Sequence, residues 1–187
     1  MRVISGKYKN NKLLFPKNLK TRPLKDIVKE NIFNILEHSK KLDVKIKHSN
    51  ILDLYAGIGS FGIECLSRGA MDVWFVENDK DAFKKLQENL NNLKVLKKSS
   101  VYFSDVFSFF EKITPKKKFD IIFLDPPYAD MDYLKIIEKI KENEIVNKNH
   151  IISFHREKNK KENLIKSLNI VENRIYGRSE LFFGRFF

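Results

Sequence analysis

The tetrapeptide Asp125-Pro126-Pro127-Tyr128 joins a carboxylate, two residues without an N–H and an aromatic ring. Consecutive prolines stiffen a turn and remove two donors. Carbonyls and the Asp125 carboxylate are then left to face a pocket as acceptors. Tyr128 adds a face on which a planar base can stack. This is equipment for methylating an exocyclic amine, a poor nucleophile because its lone pair is delocalised into the ring. Acceptors on the two N–H bonds hold the nitrogen in place and favour pyramidal geometry. Asp125 and the Pro126 carbonyl fill that role here, and Asp125 can also take the proton. Positioning and electrostatics supply most of the rate in such a scheme. A rigid loop without chemistry is the competing reading.

A second signal lies upstream. Gly57-Ile58-Gly59-Ser60-Phe61-Gly62 is G-x-G-x-x-G between an apolar run and a helical stretch. Glycines at that spacing allow close backbone approach to a ligand at a helix N-terminus. Glu77 follows Gly57 by 20 residues and ends the next apolar run, where a carboxylate can accept both ribose hydroxyls of a nucleoside cofactor. Glycine loops serve NAD, FAD and S-adenosylmethionine alike. Asp53, four residues before Gly57, favours the last of these. A carboxylate there suits an amino-acid ammonium beside a sulfonium, and it would repel a pyrophosphate. Asp105 is placed to accept from an adenine amino group. For Asp53 a loop-bracing or helix-capping carboxylate remains the alternative, and for Glu77 a solvated strand end.

These residues need elements to position them. Ile51–Tyr55, Val73–Val76, Val101–Phe103, Phe119–Leu124 and Ile151–Phe154 read as strands, Phe119–Leu124 being a continuous apolar run. Helices are expected at Phe61–Arg68, around Ala82–Leu93, at Val106–Ile113, around Tyr133–Ile140 and at Leu164–Leu168. Asn173–Tyr176 and Glu180–Phe187 form a closing hairpin around Gly177. Strand–helix alternation repeated in this way predicts a Rossmann-like, doubly wound α/β sheet, mostly parallel. The hairpin adds one antiparallel strand. Ahead of the sheet, Met1–Pro16 reads as a small hairpin and Asp26–His38 as a helix. Every site residue above then falls at or close to the carboxyl end of a strand, the side on which such sheets bind ligands.

The chain has 187 residues and a net charge of +12. Its 29 Lys, 20 Ile and 17 Asn fit the bias of a genome rich in A and T, so total charge says little. Its distribution says more: residues 1–49 carry net +9 and residues 50–187 net +3. A basic N-terminal extension (1–49) beside a nearly balanced catalytic body (50–187) reads as a nucleic-acid contact surface. Arg2, Lys7, Lys9, Lys12 and Arg22, interleaved with Tyr8 and Phe15, are the candidate phosphate contacts. A single cysteine, Cys65, excludes an internal disulfide and a cysteine zinc cluster. It points to a buried thiol and a reducing, cytoplasmic setting. No metal site is expected. No run of about 18 apolar residues predicts a membrane span, and the polar, basic start is not expected to be a secretory signal. A monomer is expected.

The motifs together resemble the RsmD-like bacterial small-subunit (16S) ribosomal RNA (guanine-N2)-methyltransferases, class I S-adenosylmethionine-dependent enzymes. The resemblance runs through Arg2–Gly6, Thr21-Arg22-Pro23 with Asp26, Val28, Glu30 and Phe33-Asn34, and Leu52–Gly59. It continues through Leu66–Ala70, Phe75–Asp79, Phe119–Tyr128 and Tyr176-Gly177. It implies a seven-stranded sheet with its last strand antiparallel, and transfer of a methyl group to the N2 amine of a guanine. The implied substrate is ribosomal RNA in the small ribosomal subunit or its assembly precursor. Asp53, Tyr55, Gly57, Gly59, Glu77 and Asp105 would bind S-adenosylmethionine, and Asp125, Pro126, Pro127 and Tyr128 would meet the base. Leu24, Ile27 and Lys29 depart from the family pattern ahead of the sheet, and Phe154-His155 lacks a Glu common before that His.

Two other readings stay open on residues alone. One is an adenine-N6 methyltransferase on RNA or DNA, since the same tetrapeptide serves there. The other is a non-catalytic RNA-binding ribosome assembly factor of the same fold, opposed by the complete set of Asp53, Glu77, Asp105 and Asp125. A nicotinamide oxidoreductase is remote. His155 reads as a structural strand-end residue, His38 and His48 as solvated, and Lys116-Lys117-Lys118 as a solvated loop.

Overall fold

Apolar periodicity turns into two-sided burial. In the computed structural model, which describes residues 1–16, 26–112, 117–127, 132–158 and 168–187, seven strands form one sheet covered on both faces. The strands are β1 (Asn50–Leu54), β2 (Asp72–Glu77), β3 (Ser99–Phe103), β4 (Phe119–Leu124), β5 (Val146–Glu157), β6 (Leu168–Tyr176) and β7 (Ser179–Phe186). The helices are α1 (Asp26–His38), α2 (Ser60–Ser67), α3 (Lys80–Asn92), α4 (Val106–Lys112) and α5 (Tyr133–Glu142). The spatial order is β3-β2-β1-β4-β5-β7-β6. β1 through β5 are parallel, and β7 alone runs against both its neighbours, β5 and β6. The doubly wound sheet with one reversed strand expected from the sequence is therefore present. Its order reverses between β1 and β4, the switch point at which such folds open a crevice.

The two faces carry separate apolar clusters. One gathers Ile32 and Phe33 of α1, Phe61 and Ile63 of α2, Leu86 of α3 and Phe75 and Phe123 of the sheet. The other gathers Phe109 of α4, Tyr133 and Ile137 of α5, and Leu52, Ile122 and Phe154. Phe61 stacks on Phe123 at 4.1 Å and on Phe33 at 5.2 Å between ring centres. That stack fixes the start of α2 against the middle of the sheet. Gly62 explains the third glycine of the motif: an added Cβ would lie 2.2 Å from the Phe75 ring. Its role is close helix–sheet packing rather than ligand contact.

The N-terminal segment shares the first cluster through Val3 and Leu13. Its expected hairpin is reduced to one antiparallel bridge, Arg2 to Lys12, with short backbone hydrogen bonds around it. Side chains from the body hold it in place. Glu64 of α2 is fully buried and accepts from the amides of Ile4 and Ser5 at 2.7 and 2.9 Å. It also pairs with Arg68 at 2.9 Å and Lys29 at 3.8 Å. Lys29, fully buried, donates to the Arg2 carbonyl at 2.7 Å. Burial pulls its pKa down, and Glu64 opposes that shift. Gly6 packs so closely on Ser67 that a Cβ would lie 2.0 Å from its carbonyl oxygen.

Two strand expectations change. β5 begins at Val146 rather than Ile151, because a register irregularity between Phe119 and Ile121 admits the polar stretch Asn147–His150. β6 begins at Leu168, which had read as the end of a helix, and residues 164–167 lie outside the described residues. β6 is an edge strand in which the buried position 172 is a glutamate and the exposed position 175 an isoleucine, so its pattern does not alternate cleanly. Cys65 is buried as expected. Among the described residues no helix is long and apolar enough to cross a membrane.

Candidate active site

The carboxyl ends of β1, β2, β3 and β4 place the predicted residues on one edge. Tyr55 leaves β1 with φ 62, Gly57 has φ 56 and Gly59 φ 86. These left-handed conformations coil the chain tightly before α2. For a bulky residue such as Tyr55 that conformation is costly, and such outliers gather at ligand sites. A Cβ on Gly57 would meet nothing within 4 Å, so its outer side is open.

Carboxylates brace this loop. Asp53, 1% exposed, accepts from the Gly62 amide at 2.9 Å. Glu77 bridges two segments, accepting from Gly57 N and from Asp79 N, each at 2.6 Å. The loop-bracing reading of Asp53 is thus correct as far as one of its oxygens goes. A carboxylate has about four acceptor sites, so both groups retain capacity. Burial raises the pKa of Asp53 well above the ordinary carboxylate value; the Gly62 hydrogen bond opposes this, and the nearby charges of Asp125 and Glu77 add to it. Burial likewise raises Glu77 against its backbone hydrogen bonds. Both shifts express one need: buried anions close together and short of positive charge.

Tyr55, Val76, Glu77, Asn78, Ser104 and Asp105 are among the residues that line a small pocket. Asp105 caps α4 through the Ser108 amide at 2.9 Å, and that hydrogen bond lowers its pKa. In the glycine loop, Ser60 Oγ is buried without a hydrogen-bond partner. An open glycine face, an orphaned hydroxyl and two cation-seeking carboxylates fit a nucleoside ligand that carries positive charge. They therefore fit S-adenosylmethionine.

Across the switch point, β1 and β4 pair Leu54 with Leu124, so Asp125 follows β4 directly beside the glycine loop. Asp125 is partly exposed; its Oδ1 lies 2.9 Å from His155 Nδ1. Pro126 is buried and Pro127 exposed. The Pro127 carbonyl accepts from Arg156 at 3.3 Å. One of the carbonyls expected to face the pocket is thus already engaged. Tyr128 lies outside the described residues. Among the described residues no cluster of His, Cys, Asp and Glu could hold a metal.

Of the candidate RNA contacts, Arg2, Lys7, Lys9 and Lys12 are exposed on the N-terminal segment, and Arg22 lies outside the described residues. Lys117 pairs with Asp72 at 2.8 Å rather than standing alone in a solvated loop. His38 and His48 are exposed as expected.

Sequence reasoning missed Glu64, Asn89 and Arg156. Asn89 of α3 accepts from Leu14 N at 2.7 Å and donates to the Ile58 carbonyl at 3.1 Å. It thereby ties the end of the N-terminal segment to the glycine loop. The signal for Glu64 was its position, a carboxylate inside the apolar run Phe61–Leu66, which burial without a partner would forbid.

Known proteins share this arrangement. The family model described as conserved hypothetical protein 95 matches residues 1–185. The ribosomal RNA small subunit methyltransferase D of Haemophilus influenzae is 34% identical over 161 residues, covering 86% of this chain and 80% of its own. YlbH of Bacillus subtilis is 35% identical over 153 residues, 81% of this chain and 80% of its own. The solved structure of yhhF from Escherichia coli superposes with a TM-score of 0.85 at 26% identity, covering 100% of this chain and 97% of that one. A family match along almost the whole chain, with relatives above 30% identity, agrees with the glycine loop, the strand-end carboxylates and the Asp-Pro-Pro loop; the chain belongs to the conserved hypothetical protein 95 family, among its RsmD-like methyltransferases.

Proposed function

We propose that this protein transfers a methyl group from S-adenosylmethionine to the exocyclic N2 amine of a guanine in small-subunit ribosomal RNA. The observation that carries this reading is the juxtaposition at the switch point. A loop of positive-φ glycines braced by Asp53 and Glu77 lies beside a loop that offers Asp125 and proline carbonyls. The name of the Haemophilus influenzae relative supports the substrate class.

S-adenosylmethionine, when bound, supplies an electrophilic methyl on a sulfonium. Asp53 and Glu77 would hold that ligand, Asp53 toward its positive charge and Glu77 toward its ribose. Tyr55, Gly57 and Gly59 would shape the loop around it, and Asp105 would accept from its adenine. Asp125 accepts one N–H of the guanine amine through its remaining oxygen, and the Pro126 carbonyl accepts the other. Both acceptors hold the nitrogen with its lone pair toward the methyl. Asp125 or solvent receives the proton released after transfer. Tyr128 stacks on the base. A paired amine is out of reach, so the guanine must leave its stack.

Residues 1–49 guide the RNA, with Arg2, Lys7, Lys9, Lys12 and Arg22 against phosphates, and residues 50–187 perform the chemistry. The protein acts as a cytoplasmic monomer on the small ribosomal subunit or its assembly precursor. Nucleoside mass spectrometry of ribosomal RNA from cells with and without the gene tests this. Loss of N2-methylguanosine is expected. Loss of N6-methyladenosine instead, or no change, overturns it.

A further inference from the structure

The catalytic loop leaves β4 after Leu124, which lies in register with Phe154 of β5. The next two residues of β5, His155 and Arg156, therefore run beside the first residues of the loop. Alternation along a strand sends them to opposite faces of the sheet. Both are buried, at 6% and 1% exposure. His155 Nδ1 lies 2.9 Å from Asp125 Oδ1. A carboxylate only accepts, so this contact puts a hydrogen on Nδ1 and fixes the tautomer. Arg156 donates to the Pro127 carbonyl at 3.3 Å, and its guanidinium lies 4.4 Å over the ring of Tyr133. Tyr133 is fully buried and opens α5, the helix that follows the catalytic loop. One residue thus grips the carboxylate. The other joins the two ends of the loop from the opposite face.

Burying an arginine and an imidazole at a strand end is expensive where an apolar pair would pack readily. What such a pair supplies instead is direction. An Asp side chain at the head of a loop is free to rotate unless one oxygen is tethered. Tethering Oδ1 aims the other oxygen, and fixing the Pro127 carbonyl sets the plane of the adjoining peptide. Reacting groups held this way need no reorganisation when substrate arrives.

We propose that His155 and Arg156 are positioning residues for methyl transfer, a two-sided clamp from β5 that holds Asp125 and the proline loop in the orientation the target amine requires. The proposal rests on the methyl-transfer reading above.

The test uses the full chain, labelled S-adenosylmethionine and small subunits from cells lacking the gene. H155L keeps bulk without a donor, H155N keeps an N–H near Nδ1, and R156M keeps length without charge. H155L and R156M are expected to lower the single-turnover rate constant by about 30-fold or more, in the range that small misplacements of reacting groups produce. S-adenosylmethionine affinity should stay within about threefold, and H155N within about fivefold of the wild-type rate, because the clamp acts on Asp125 and not on the cofactor loop. Amide exchange at Asp125 and across residues 132–137 should quicken in H155L and R156M. Wild-type rates with unchanged exchange in both, or an H155N as slow as H155L, overturn the clamp. A wild-type protein that binds S-adenosylmethionine but modifies no guanine overturns the functional reading instead, and the exchange measurement then decides the clamp alone.

Discussion

The glycine loop after β1 and the proline loop after β4 meet at one edge of the sheet, yet they are held by opposite chemistry. Glycines leave N–H groups exposed, and buried carboxylates support them: Asp53 takes Gly62 N, and Glu77 takes Gly57 N and Asp79 N. Prolines leave only carbonyls and the preceding carboxylate, and buried donors support those: His155 takes Asp125 and Arg156 takes Pro127. Each loop dictates whether acceptors or donors support it. An anionic scaffold suits a cationic cofactor. A scaffold of donors tethers one Asp125 oxygen and leaves the other to accept from an amine. Two binding preferences thus follow from which backbone groups each loop presents.

If the loops are independently supported, removing the central group of one should spare the other. Asp125→Ala gives the largest expected effect, a loss of about 10³-fold in the rate constant, within the range for a general acid–base or orienting group. S-adenosylmethionine affinity by calorimetry should change by less than about threefold, since uniform binding is untouched. Loss of both together would show that the two loops form one unit.

The next prediction concerns the attachment of the N-terminal segment, in which side chains of α2 and α3 take a large part. Glu64→Ala leaves Lys29 buried without its carboxylate partner and frees two amides. Breaking a buried ion pair from one side costs about 3–5 kcal/mol. Urea unfolding should report a loss of that size. Glu64→Gln should recover part of it by still accepting the Ile4 amide. An unchanged midpoint in the alanine variant would show that the segment docks without help from Glu64.

The two loops also differ in how far they could be read from sequence. The glycine loop is a local object. Asp53, Gly57, Gly59 and Glu77 sit at short spacings that strand ends impose, so type and position suffice. The head of the proline loop was legible for the same reason. Its support was not: Arg156 lies 29 residues from Pro127 and meets it only because β4 and β5 pair with Leu124 opposite Phe154. His155 looked like an ordinary strand end until that register placed it on Asp125. Glu64 lies 60 residues from Ile4, so its hub was legible only as an oddity, a charge in an apolar run. Among the elements, only the second half of β6 was legible, as the first arm of the closing hairpin; its first half, Leu168–Glu172, escaped. The first half of β5 escaped because Val146–His150 lacks an apolar run.

The anionic scaffold makes its own prediction at intermediate size. Glu77→Gln keeps a brace for Gly57 but removes the charge, and should weaken S-adenosylmethionine by about tenfold, the scale of one charge-assisted hydrogen bond. Acid should mimic it. Asp53 and Glu77 have raised pKa values in the folded protein, so they hold protons just above the usual carboxylate range of about 4. In that window the folded state binds more protons than the unfolded chain, and the contribution of both groups to stability falls as pH rises. A cationic ligand favours the ionised forms, so binding there must release protons, and affinity must drop as pH falls through the raised values. Calorimetry in buffers of different ionisation enthalpy measures that release. Proton uptake would contradict the assigned roles.

The smallest effect belongs to the surface that touches neither loop. Lys7, Lys9 and Lys12 are exposed on the segment that Glu64 and Asn89 fasten to the cofactor side. If they meet phosphates, replacing all three with Gln should weaken subunit binding by about tenfold at moderate salt. The log–log salt slope should flatten by roughly 0.7–0.9 for each phosphate no longer neutralised. The rate constant at saturating subunit should hold, because neither Asp125 nor the glycine loop is touched. A segment that only captures RNA alters KM and its salt dependence, whereas one that also shapes the glycine loop through the Asn89 bond to Ile58 alters S-adenosylmethionine affinity as well. Asn89→Ala beside the triple variant distinguishes the two. Weakened cofactor binding in Asn89→Ala alone would make the bridge, and not the charge, the link between the RNA surface and the cofactor loop.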